Sequence, residues 1–110
     1  MSERERKLGL NEAMFRQVNE RLEELNRTFA DFTDRLQVVC ECADIGCAEM
    51  IDVPARDYER VRAEPTHFIV LPGHEVAEVE DVVEEQARFH VVRKRDGEPA
   101  RVARATDPRD

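Results

Sequence analysis

A heptad pattern of apolar residues runs unbroken through the first third of the chain. No Pro or Gly interrupts residues 10–36, and Asn11 fills the one polar position of the register. Spacings of three and four residues place side chains on one face of an α-helix. The pattern predicts an amphipathic helix over residues 11–36, after an N-terminal extension at residues 1–10. Its apolar positions are Leu8, Phe15, Val18, Leu22, Leu25, Phe29, Phe32 and Leu36.

The pattern allows two packing partners for this helix. The helix either forms a coiled-coil homodimer, with Asn11 helping to fix the register, or lies on a small β-domain of its own chain. Few oppositely charged residues flank the pattern, so charge does not specify a parallel pair. The pattern is nevertheless about 40 Å long at 1.5 Å per residue, longer than a small domain covers. We therefore expect self-association, or docking on a protein partner, through Phe15, Val18, Leu22, Leu25, Phe29 and Phe32.

The remaining chain reads as short β-strands around one short helix. "LQVVCEC" and "AEMIDV" predict two strands, and residues 54–65 predict a helix that begins at Pro54 and ends before Pro65. An apolar run at residues 68–71, closed by a Pro-Gly turn, predicts a buried strand. Residues 79–83 and 89–92 predict a hairpin, with a helix over residues 77–88 as the alternative. Residues 96–110 are polar and aperiodic, which predicts a disordered tail.

All three cysteines, Cys40, Cys42 and Cys47, lie in the stretch "CECADIGC". A disulfide between Cys40 and Cys42 would close a very small, strained ring. Redox dithiols are usually C-x-x-C at a helix N-terminus, whereas these cysteines lie between strands, beside acids that raise thiol pKa values. Closely spaced cysteines on a turn commonly supply half of a tetrahedral zinc site. The spacing therefore favours Zn²⁺.

A structural zinc ion needs a fourth ligand, and the chain offers His67, His74 and His90. His67 and His90 lie in predicted strands. His74 follows Pro72–Gly73 on a tight turn, which presents a side chain well to a metal. We expect Cys40, Cys42, Cys47 and His74 to bind the ion, with His67 as the second candidate for the fourth position. A domain with so small a core often needs an additional stabilising element. A structural zinc ion can contribute on the order of 10 kcal/mol of folding free energy.

The predicted fold class is α+β. A long amphipathic, coiled-coil-like helix precedes a small zinc-stapled β-rich domain with one short helix at residues 37–95, and residues 96–110 form the tail. A length of 110 residues allows a single domain.

The chain resembles a group of small uncharacterised actinobacterial proteins. The resemblance lies in "NEAMFRQVNERLEELN" (11–26), "VCECADIGCAE" (39–49) and "DYERVRAEPTHFIVLPGHE" (57–75), followed by two Val-rich strands. It implies a Cys₃His zinc site at Cys40, Cys42, Cys47 and His74. Related sequences typically have Gly where this chain has Ala43.

The charge of the chain and the motifs that it contains reduce the number of function classes to consider. The net charge of −8 disfavours nucleic acid as a partner, because phosphate binding needs clustered Lys and Arg. No secretory signal or membrane span is visible, so we expect a cytoplasmic protein with reduced thiols. No Ser-His-Asp set, phosphate loop or H-E-x-x-H motif suggests an enzyme. The leading hypothesis is a zinc-binding interaction or regulatory module; the alternatives are a redox- or metal-responsive regulator and, less favoured, a nucleic-acid-binding zinc ribbon.

Overall fold

A computed structural model describes residues 3–27, 34–42, 44 and 46–109, with the side chains of the first helix described over residues 9–25. These residues form an α+β fold, as the sequence predicts. The elements are α1 (Glu3–Arg27), β1 (Arg35–Val39), β2 (Met50–Pro54), α2 (Ala55–Arg62), β3 (His67–Val70), β4 (Glu80–Glu85), β5 (His90–Lys94) and α3 (Glu98–Ala105). Among the described residues, no helix has both the length and the hydropathy that crossing a membrane requires.

The strands form two separate antiparallel sheets. β1 pairs with β2, and in the second sheet β5 lies between β3 and β4. The backbone N–H of Gln86 donates to the carbonyl of Phe89 across the β4–β5 turn, at 2.9 Å. The predicted hairpin is therefore confirmed, and the alternative of a helix over residues 77–88 is wrong.

Residues of both sheets and of α2 form one core. Tyr58 and Val61, which the sequence places on one face of a short helix, are both buried. All three residues of β3 after His67 are buried, which matches the prediction of a buried strand. The apolar residues that meet here include Val38, Ile51, Val53, Tyr58, Val61, Phe68, Ile69, Val70, Val91 and Val92.

The first helix differs from its predicted bounds of 11–36. α1 begins at Glu3, inside the predicted extension, and ends at Arg27. Leu36 instead lies in β1, where it is buried opposite Val53, because it belongs to the alternating pattern of a strand. Phe29 and Phe32 lie outside the described residues.

The face that α1 turns toward the rest of the fold is polar. α1 contacts β1 and α3. Within residues 9–25, whose side chains are described, the buried ones are Ala13 and four polar residues: Glu12, Arg16, Asn19 and Glu23. Val18 and Leu25 of the heptad pattern are exposed. Phe15 and Leu22 of the same pattern are half-buried. The helix therefore lies on its own domain mainly through polar side chains, and a coiled coil is not confirmed.

The C-terminal segment is ordered rather than a disordered tail. Residues 98–105 form α3, which buries Ala100 and Ala103 and contacts α1 and β5. Eight residues with two small buried side chains carry little periodic signal, since alanine marks no clear apolar face. The sequence prediction for residues 96–110 is therefore wrong over α3.

Candidate metal centre

The three cysteines and His74 converge on one point of the fold. Their nearest ligand atoms all lie within 4.8 Å of one another. The Nδ1 atom of His74 is 3.6 Å from the Sγ atom of Cys40 and 3.7 Å from that of Cys47. Two segments far apart in sequence thus supply one cluster.

The end of β1 and a tight turn position the cysteines. The N–H of Cys40 donates to the carbonyl of Glu49 at 2.9 Å, which continues the β1–β2 pairing past the last strand residue. The carboxylate of Asp44 accepts the N–H of Gly46 at 2.9 Å, and its carbonyl accepts the N–H of Cys47 at 2.9 Å. This Asx-type turn brings Cys47 back toward Cys40.

A second tight turn, directly after β3, positions His74. The N–H of His74 donates to the carbonyl of Leu71 at 3.0 Å, and Gly73 has φ +87°. The N–H of Leu71 donates to the Sγ atom of Cys40 at 3.2 Å. One turn therefore presents the imidazole and also supplies a hydrogen bond that stabilises negative charge on a ligand sulfur.

The donor set fits a tetrahedral metal ion. Bond lengths of about 2.3 Å to sulfur and about 2.05 Å to nitrogen place tetrahedral S and N atoms about 3.6 Å apart. The two measured separations, 3.6 and 3.7 Å, match that value. Three thiolates and one imidazole are ligands that zinc accepts readily. The cluster can hold a metal ion.

Burial changes the pKa values of two thiols in this cluster. Cys40 and Cys42 are buried, and Cys47 is partly exposed. Desolvation raises the pKa of Cys40, and the hydrogen bond from Leu71 opposes that rise. Burial likewise raises the pKa of Cys42. Without a cation these two thiols keep their protons, so a bound metal ion has to displace them.

The other two histidines lie outside the cluster. His67 begins β3 opposite Arg93, and burial lowers its pKa. The Nδ1 atom of His90 lies 3.8 Å from a carboxylate oxygen of Glu75. The structure therefore brings His74 to the thiols, as the sequence analysis expects, and neither His67 nor His90.

Glu41, which separates two of the cysteines, organises the surroundings of the cluster. Its side chain is fully buried and accepts hydrogen bonds from Asn19 at 2.7 Å, Arg62 at 2.8 Å and the N–H of Ile69 at 2.9 Å. The carboxylate thus joins α1, α2 and β3 beside the cysteines. The sequence analysis missed this role, because Glu41 and Asn19 look like ordinary polar residues of a turn and a helix surface.

A shallow pocket opens beside the cluster. It has a volume of about 270 Å³ and is lined by Cys42, Asp44, Gly73, His74 and Val76. Small solutes in this pocket reach one edge of the cluster.

Comparisons with protein-family models, with curated proteins and with solved structures find no match to this chain. The cluster of Cys40, Cys42, Cys47 and His74 is accordingly the feature from which a function can be inferred.

Proposed function

We propose that the chain is a small zinc-binding protein in which the metal is structural. The ligands are the Sγ atoms of Cys40, Cys42 and Cys47 and the Nδ1 atom of His74. The observation that carries this proposal is the convergence of these atoms, from the segment after β1 and the turn after β3, within 4.8 Å of one another.

The donor set favours a structural over a catalytic role. Structural zinc sites have four protein ligands, whereas catalytic sites keep one position open for water. Here four side chains lie close enough together to supply all four ligands. Three thiolates also offset the charge of the ion, which makes it a weak Lewis acid.

The position of the cluster explains what zinc would do for the fold. The cysteines continue from the β1–β2 sheet, whereas His74 follows β3 of the other sheet. One backbone hydrogen bond, from the N–H of Glu41 to the carbonyl of Ile69 at 2.8 Å, already joins the segment after β1 to β3. A shared ion would add a second, stronger cross-link at the same place. A structural zinc site can contribute on the order of 10 kcal/mol of folding free energy, as much as a small domain has in total.

The zinc-stapled domain also holds α1 in a fixed orientation, and this supports a role as an interaction module. The polar side of α1 is buried, whereas Leu10, Met14, Val18 and Leu25 are exposed. Large exposed apolar groups on one helix face are typical of a contact surface. A regulatory module would use such a surface to bind another protein molecule.

One observation favours a second function, redox-responsive release of the metal. Cys47 is partly exposed, and the pocket gives solutes access to the cluster. Peroxide would oxidise two thiolates to a disulfide, reducing the peroxide to two molecules of water with the uptake of two protons. Loss of two ligands would release the ion.

Metal analysis of the purified native protein tests the main proposal. We expect one zinc ion per chain in the wild type and in the His67→Ala control. We expect loss of the zinc and a lower thermal midpoint in Cys47→Ser and His74→Ala. Absence of metal from the wild type would overturn the proposal, as would unchanged zinc content in both ligand variants. Reversible release of zinc by mild peroxide would support the redox function, and irreversible unfolding would exclude it.

A further inference from the structure

The apolar core of the described residues contains no side chain of α1. Its buried residues come from both sheets, the cysteine segment, α2 and α3. α1 is held mainly by the buried polar side chains of Glu12, Arg16, Asn19 and Glu23. An element with few buried apolar contacts opens at a lower free energy than the core does. α1 is therefore the element that can leave the domain without opening its core.

The side chain of Asn19 fastens the middle of α1 to the chain on both sides of Cys40. Its Nδ2 atom donates to the Oε2 atom of Glu41 at 2.7 Å, and the same amide hydrogen-bonds both backbone groups of Val39. The contacts with Val39 fix which end of the amide faces Glu41. α1 thus docks directly beside Cys40, one of the proposed metal ligands.

Glu41 lies between two of the proposed ligands in an extended segment. The N–H of Cys40 donates to the carbonyl of Glu49, whereas the N–H of Glu41 donates to the carbonyl of Ile69 in β3. Successive N–H groups that point to opposite neighbours are typical of an extended chain, in which successive side chains also alternate. Cys40 and Cys42 therefore share one side of this segment, and Glu41 projects from the other.

A metal ion bound by both of these cysteines would hold the backbone of Glu41 from either side. Its carboxylate is then already in place for Asn19, so less conformational freedom is lost when α1 docks. Without the ion, the cysteine segment is no longer tied to His74, and Glu41 regains some of that freedom. The pairing of the strands does not run through the cysteines. Metal loss should therefore weaken the contact with Asn19 more than it weakens the sheets.

From this arrangement we infer that the Cys₃His cluster and the docking of α1 are coupled through Glu41 and Asn19. Metal binding holds α1 on the domain, and metal loss releases α1 before either sheet opens. The inference rests on the proposed zinc site and adds a regulatory role to the structural one. Coupling between two sites typically amounts to about 5- to 150-fold in an equilibrium constant, and it acts equally in both directions.

Hydrogen–deuterium exchange of the full chain, with zinc bound and after chelation, tests the coupling. Amides of residues 9–25 report on α1, and amides of β5 report on the second sheet, in which β5 is the central strand. Most helical stability in proteins comes from packing, so a released α1 loses its protection. Chelation should speed exchange in α1 by about fivefold or more, with a smaller change in β5. Zinc content is measured on the same samples.

The variant Asn19→Asp tests the coupling from the side of the helix. The new carboxylate can still accept the N–H of Val39, but its second oxygen faces two acceptors, the carbonyl of Val39 and the carboxylate of Glu41. α1 should therefore exchange faster in the zinc-loaded variant. Its zinc affinity in a dye competition should fall by up to the factor that chelation gives for α1, because coupling is reciprocal. Gln17→Glu, an equal charge change at an exposed position of the same helix, should change neither quantity.

Equal loss of protection in α1 and β5 after chelation would overturn the inference, because the metal would then stabilise the fold as a whole. Unchanged protection of α1 would overturn it as well. So would wild-type zinc affinity in an Asn19→Asp variant whose α1 exchanges freely. In each of these cases one zinc ion per chain still supports the metal site. A wild type without metal would instead refute the proposed function, and this inference with it.

Discussion

The side-chain amide of Asn19 pairs with both backbone hydrogen-bonding groups of Val39. Its Nδ2 atom donates to the Val39 carbonyl at 2.8 Å, and its Oδ1 atom accepts the Val39 N–H at 2.7 Å. Val39 is the last residue of β1 and directly precedes Cys40. A single side chain therefore connects α1 to the backbone that positions the cysteines.

Asn19→Ala should destabilise the protein and weaken metal binding together. The change leaves the backbone groups of Val39 and one oxygen of Glu41 without their buried partner, at a cost of about 1–3 kcal/mol for each unsatisfied group. We expect the unfolding free energy of the zinc-loaded protein to fall by about 3 kcal/mol. Denaturant titration measures this loss, and competition with a zinc-binding dye measures the metal affinity.

Gln17→Ala, at an exposed position of the same helix, serves as the matched control for Asn19→Ala. It should change stability by less than about 0.5 kcal/mol. Equal effects of the two variants would show that the pairing of Asn19 with Val39 has no special importance.

Gly73→Ala should weaken zinc binding without introducing a clash. Gly73 has φ +87°, and a Cβ atom there would meet nothing within 4 Å, so the only penalty is backbone strain. That strain amounts to about 1–2 kcal/mol for an L-residue. Because the same turn presents His74, we expect roughly a tenfold loss of zinc affinity in the dye competition. Gly73→Asn should lose less, since asparagine tolerates positive φ better, and a variant series without this order would contradict the explanation.

Glu12 should make the protein less stable as the pH rises. Burial raises the pKa of Glu12 well above its ordinary value of 4.5, and the nearby charge of Glu80 adds to the rise while Lys94 opposes it. Between pH 4.5 and the raised pKa, the folded chain holds a proton that the unfolded chain has lost. Stability from this group is therefore present below pH 4.5 and is lost as the pH rises.

The variant Glu12→Gln lacks this titration. Its stability relative to the wild type should increase with pH, by up to about 1.4 kcal/mol per pH unit above pH 4.5. Denaturant unfolding of both proteins from pH 4.5 to 8 gives this difference, in which the pH dependence of metal binding cancels. A difference that stays flat over that range would contradict the assignment.

Substitution of Lys94 should lower the unfolding free energy more than most substitutions outside the Cys₃His cluster. Its buried ammonium group contacts Glu12 and lies 2.7 Å from a carboxylate oxygen of Glu80. Lys94→Met removes the cation from a site where a carboxylate remains, and breaking a buried pair in this way costs about 3–5 kcal/mol. Denaturant unfolding should show a loss of that size.

Adding Glu80→Gln to Lys94→Met should restore much of the lost stability. The second change removes the unpaired charge, and the amide oxygen can still accept the N–H of Val76, which now donates to Glu80 at 2.8 Å. If the double variant were no more stable than Lys94→Met, the loss would arise from packing rather than from charge.

The sequence predicted the β-strands and the convergence of the three cysteines with His74 well, for a physical reason. In the first two strands every second residue is buried, as Val38 and Ile51 are. This alternation of apolar and polar residues is visible within a few positions of the sequence. His74 follows a Pro-Gly turn whose geometry depends on adjacent residues. Both features depend on short-range chemistry, which a single sequence displays.

The orientation of α1 was not predictable in the same way. Glu12, Arg16 and Asn19 repeat with helical spacing, and such a pattern of polar residues ordinarily marks a solvated face. Only their distant partners, including Glu41 and Lys94, make burial favourable. No local rule shows that a charged side chain has a partner 82 positions away.

The hydrogen bond from Arg16 to the carbonyl of Ala103 spans 87 positions of the chain. On the ribosome, α1 is synthesised first among the described elements, and α3 is synthesised last. All four residues of the Cys₃His cluster therefore leave the ribosome before Arg16 can meet its carbonyl acceptor in α3. Such long-range closure is slow, so we expect the metal centre to assemble on the nascent chain while α1 still awaits its final contacts.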